Sequence, residues 1–173
     1  MGELKKLLGY LKELKLKPNV DNFQDRLVIQ KTVCLLEMMG LDLDYHFSLY
    51  VRGPYSPGLT EELYSNKEAV NGLRTDYKPN SEEKKQLQKF SEISKLEPTI
   101  LEIMSTYAFM IKDNEEKQAV IKLKKLKSFY SEARIAIGIS RAKQLLSKPT
   151  EQEIEKMKSE FSDWQNASID DKN

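Results

Sequence analysis

The chain has 173 residues, 39% of them apolar and 32% charged, which suffices for one domain with a buried core and excludes a chain too polar to fold. Twenty-eight Lys and Arg against 27 Asp and Glu leave a net charge of +1, so no global field draws the protein to nucleic acid or to an anionic membrane. Cys34 and His46 are the only residues of their kinds, which excludes an internal disulfide, Cys₄ and Cys₂His₂ zinc sites and any cluster of histidines.

From the N-terminus, Leu4, Leu7, Leu8, Leu11 and Leu14 fall on one face of a helix over residues 3–16, which Pro18 and Asn19 end. This opening stretch lacks the apolar centre and cleavage site of a signal peptide. No apolar run approaches the roughly 20 residues that cross a bilayer, so a cytoplasmic location away from membranes is expected. A second helix over 22–39 carries apolar residues around much of its circumference, including Phe23, Leu27, Val33, Cys34 and Leu36, and is expected to be the central buried helix. Gly40 fits the left-handed position after its last turn.

The period changes at Tyr45–Arg52, where Tyr45, Phe47, Leu49 and Val51 alternate with His46, Ser48, Tyr50 and Arg52, as in a half-buried strand. Gly53 and Pro54 break it into a corner. Ser56 then caps a helix with Pro57 at its first position, running to about Asn66. Leu73–Tyr77 is a candidate short second strand. Beyond it the reading is helical: a helix capped by Ser81, one started by Pro98, and further helices over 115–127 and 132–146. The pair Thr150 and Glu153 opens a last helix burying Ile154, Met157, Phe161 and Trp164, before a disordered tail over 166–173. The expected fold is therefore mainly α, a single domain over 1–165 with one small β element in its first half.

Candidate chemistry is sparse. Serine or cysteine catalysis could use only His46 or a lysine as its base, and Cys34, the one thiol, lies in the apolar run VCLLEMM and reads as inert and buried. Glu61 with Glu62 and Asp42 with Asp44 read as surface charge, since adjacent acids on a helix diverge and the loop lacks calcium-ligand spacing. The seven glycines form no phosphate loop. Lys122, Lys124, Lys125 and Lys127 point in different directions around their helix and read as a solvated face. No catalytic residue, metal or cofactor is expected.

The least ordinary stretch is RGPYSPGL. There Gly53, Pro54, Ser56 and Pro57 fix a tight corner that presents Arg52 and Tyr55, with Tyr50 and Tyr64 nearby. The segment is either no more than a strand-to-helix corner or, since Tyr and Arg dominate interface energetics, the candidate partner-binding surface.

The segments LVIQKTVCLLEMMG and YHFSLYVRGPYSPGLTEELY resemble the YwgA-like proteins of bacteria and archaea, and more distantly the Panacea (SocA-like) antitoxin domain. Gln30-Lys31 and Gly53-Pro54-Tyr55-Ser56 carry the resemblance over about residues 24–64, while Ile29 and Cys34 depart from its commoner residues. The stretch STYAFMIKDNEEKQAVIKLKKLKSFYS is similar to the helical second half of the YwgA-like group. The resemblance implies a winged-helix-like core over 20–78, a helical half over 81–165, and no catalytic residues. It adds Gln30 and Lys31 to the partner-binding set and implies a protein partner of the toxin or regulatory kind. The alternative is a winged-helix regulator of transcription that binds DNA.

Overall fold

The computed structural model describes residues 2–147 and 151–170. It is mainly helical with one two-stranded sheet. The first half holds α1 (Leu4–Glu13), α2 (Phe23–Met38), β1 (Ser48–Tyr50), β2 (Gly53–Tyr55), α3 (Pro57–Ser65) and α4 (Lys67–Asn71). The second half holds α5 (Ser81–Ser94), α6 (Pro98–Met110), α7 (Glu116–Leu126), α8 (Glu132–Leu146) and α9 (Glu151–Asp170).

Local chemistry sets most boundaries. Asn22 accepts a hydrogen bond from the Asp25 amide to start α2, Ser56 accepts one from the Leu59 amide to start α3, and prolines occupy the first positions of α3 and α6. Gly40 takes φ +94° just beyond α2, the left-handed conformation expected there. The cap of α5 is Asn80 rather than Ser81. Asn80 and Glu83 bond each other's amides reciprocally, satisfying two donors, where Ser81 as first helical residue satisfies none.

The centre is shared. α6 is buried from Ile100 to Ala108 and packs between α2 and α8, so α2 is one of two central helices rather than the central one. Gly138 permits the α6–α8 approach, since a β-carbon there would overlap Ile103. The core draws on every helix from α1 to α8, so both halves of the chain build it together.

The β element differs from the expected strand over Tyr45–Arg52. Its partner is Gly53–Tyr55, expected to be a corner, which turns back at Val51 and Arg52 and pairs antiparallel: Ser48 with Tyr55, Leu49 with Pro54, Tyr50 with Gly53. A three-residue partner leaves Tyr45–Phe47 without a ladder. Tyr45 is held instead through its amide to Glu37 and its hydroxyl to Glu62, both at 2.8 Å. The alternation therefore misplaces Leu49 and Val51, which point outward; Val51 is 81% exposed. Leu73–Tyr77 forms no strand. Side chains secure it, Thr75 to the Lys5 carbonyl and Tyr77 to Glu83.

α9 also differs from the expected last helix. Met157 and Phe161 are 62% and 66% exposed rather than buried, and the helix continues to Asp170, past the expected start of a disordered tail at residue 166. Thr150, the expected cap, and residues 171–173 lie outside the described residues, as do the side chains of Ile154 and Trp164. Among the described residues no helix is long and apolar enough to cross a membrane.

Candidate functional site: a basic aromatic groove

The hairpin, the first turns of α2 and the outer face of α3 enclose an open groove of about 540 Å³. All six residues singled out for partner binding, Gln30, Lys31, Tyr50, Arg52, Tyr55 and Tyr64, line it together. Phe23, Arg26 and Thr60 complete the working surface. Phe23, one of the apolar residues of the helix expected to be buried, is half exposed, because the first turn of α2 extends beyond the helices that cover its middle.

Aromatic and guanidinium groups interlock around the rim. Arg52 lies 5.1 Å from the Phe23 ring centre, and Arg26 lies 5.8 Å from Phe23 and 5.6 Å from Tyr64. Tyr50 and Tyr55 meet edge to face with centroids 5.3 Å apart across the hairpin ladder. The charged side chains lining the groove, Arg26, Lys31 and Arg52, are all cationic. The groove therefore offers apolar faces for side chains and a positive field for carboxylates.

Its floor is built from polar side chains that have left water. Gln30 is buried and uses both ends of its amide: Nε2 donates to the Ser56 carbonyl and to Thr60 Oγ1, and Oε1 accepts from the Ser56 amide, each at 2.9 Å. This bolts the start of α3 to α2. Lys31 is also buried, and its Nζ donates to the Pro54 carbonyl at 2.7 Å, holding the β2 backbone. Burial lowers the Lys31 pKa to about 8, with Glu102 opposing that fall and Lys127 adding to it. Gly53 sits at φ +94° against Thr106, where a β-carbon would overlap Oγ1. Gly53, Pro54, Ser56 and Pro57 thus shape the groove wall as strand and helix cap.

Behind the hairpin lies an ion pair that sequence reading missed. Lys127, expected on a solvated face, is 0% exposed, and its Nζ bonds Glu102 Oε1 at 2.6 Å and reaches the Val51 carbonyl at 3.4 Å. Tyr130 donates to the other Glu102 oxygen at 2.7 Å. Burial and that bond raise the Tyr130 pKa. Glu102 left a trace in the sequence as the one acid inside the apolar run TILEIMSTYAFM. Lys127 left none, since it ends a helix among other lysines. Lys122, Lys124 and Lys125 are exposed as expected.

Cys34 and His46 do line one cleft, of about 440 Å³, with Glu37, Phe109 and Lys112. Burial pushes the Cys34 thiol up to about 12, which suppresses the thiolate that nucleophilic chemistry needs. The acidic pairs have structural roles: Asp42 accepts from the Asp44 amide, and Glu62 holds the Tyr45 hydroxyl. Among the described residues no three His, Cys, Asp or Glu side chains converge as metal ligands. Compared with family models, curated proteins and solved structures, the chain matches none of them.

Proposed function

We propose that the protein is a non-enzymatic binding module of the antitoxin or regulatory kind, which takes hold of a partner protein in the groove between the hairpin, α2 and α3. One observation carries this reading: four exposed or half-exposed aromatic rings and two arginines converge on a concave surface whose charged lining has a single sign. Tyr and Arg are the residues that most often anchor interfaces, and rings already packed against guanidinium groups lose little freedom on binding. The YwgA-like and, more distantly, Panacea-like resemblance of the motifs around Gln30-Lys31 and Gly53–Ser56 agrees with a protein partner.

The test compares the parent with the Arg52→Ala/Tyr55→Ala variant as baits in cells that make the protein, followed by calorimetric titration of the retained partner. We expect the partner to lose about 2 kcal/mol or more of affinity for the variant while both baits melt alike. A partner bound equally well by both would place the interface elsewhere. A DNA-binding regulator is the weaker reading. The helix that follows the hairpin, α3, presents exposed Glu61, and a carboxylate there repels phosphates.

A further inference from the structure

The chain carries two uncovered surfaces of opposite character. One is the groove, apolar and lined by three cations without a carboxylate. The other is α9, a helix of 20 residues holding six Asp or Glu against two Lys, a net charge of −4. Met157 and Phe161 are four residues apart, hence on one face, and both are mostly exposed. Every described side chain of α9 is exposed, and the described lining of the groove contains none of its residues. No described side chain of α9 is therefore seated in its own groove.

We propose that α9 of a second copy docks in the groove, in a reciprocal dimer in which each chain lends its last helix to the other. Met157 and Phe161 enter among Phe23, Tyr50, Tyr55 and Tyr64, while Glu160, on one flank of their face, meets Arg26 or Arg52. An amphipathic helix laid in an apolar groove by anchors one turn apart is an established mode of recognition. Two-fold closure makes the same contact twice, which raises the strength of a modest contact without any new surface. The proposal rests on the groove being a binding surface, and it makes a second copy the occupant that an outside partner must displace.

The experiment is sedimentation velocity on the full chain, at concentrations from micromolar to near-millimolar, with two variants altered on opposite sides of the contact. Phe161→Asp changes the helix alone, and Arg52→Glu changes the groove alone. Both residues are exposed, and circular dichroism melts check that each variant folds; Tyr64→Ala serves as a second groove variant. The expected result is a parent dimer, at least tenfold weaker dimerisation in each variant alone, and mixed dimers when the two are combined. In that mixture the intact groove of one chain takes the intact helix of the other. A parent that stays monomeric, a dimer indifferent to either substitution, or a mixture that forms no more dimer than its components overturns the proposal. Partner binding that is lost with Arg52→Ala/Tyr55→Ala but kept with Phe161→Asp, beside a monomeric parent, would sink the dimer alone and leave the groove's function standing.

Discussion

At the residue scale the chain buries charge to hold a surface in place. Lys127 and Glu102 are almost wholly buried, so losing either leaves the other charged in the interior with only a neutral partner, the Tyr130 hydroxyl for Glu102 or the Val51 carbonyl for Lys127. Glu102→Gln and Lys127→Met are each expected to cost about 3–5 kcal/mol by urea unfolding, whereas the double variant should cost less than their sum. Additive losses would show that the pair is not coupled. Lys31 supplies a pH signature. Its native pKa of about 8 lies below the ordinary 10.5, so between those values the unfolded chain binds more protons than the native one. Its contribution to stability must then rise with pH from about 8 to 10.5 and level off on either side. The stability difference between the parent and Lys31→Met, followed over that range, should show this slope; a flat difference would contradict the burial cause.

At the scale of elements the hairpin depends on one backbone conformation that glycine tolerates. Gly53→Ala places a methyl group against Thr106 at a positive φ, and a loss of about 2 kcal/mol is expected by thermal or urea unfolding. Repeating it in a Thr106→Ala background should recover the steric part and leave the conformational part. The hairpin also marks where sequence reading ran short. Helices were legible because caps and turn residues act within a few positions: Asn22, Gly40, Ser56, Pro57 and Pro98 all do what their chemistry implies. The strand was read too long because its length is set by its partner, and alternation in one segment carries no information about how many residues lie opposite. The candidate site was legible as a cluster around Gly53–Pro57 and the Gln30-Lys31 pair. Its support was not, since Glu102, Thr106 and Lys127 reach it from helices far along the chain.

At the scale of the whole molecule, a net charge of +1 leaves attraction to nucleic acid to a few local cations. Fluorescence anisotropy with a random duplex should therefore find weak binding that disappears between low and physiological salt, and a tight sequence-specific complex would overturn the ranking of the two functional readings. The link from Lys127 to the Val51 carbonyl spans 76 residues, and this sets a schedule during synthesis. At a translation rate of 5–20 residues per second, the ribosome needs roughly 4–15 s to progress from the tip of the hairpin to the lysine that secures it. Through that interval the hairpin that carries Tyr50 and Tyr55 has Lys31 behind β2 but not yet Lys127 behind its turn. A nascent chain halted before Lys127 carries every residue of the groove's lining and the Lys31 bond behind β2, yet it leaves the buried Glu102 carboxylate without its cation, so the wall is complete only once Lys127 has been made.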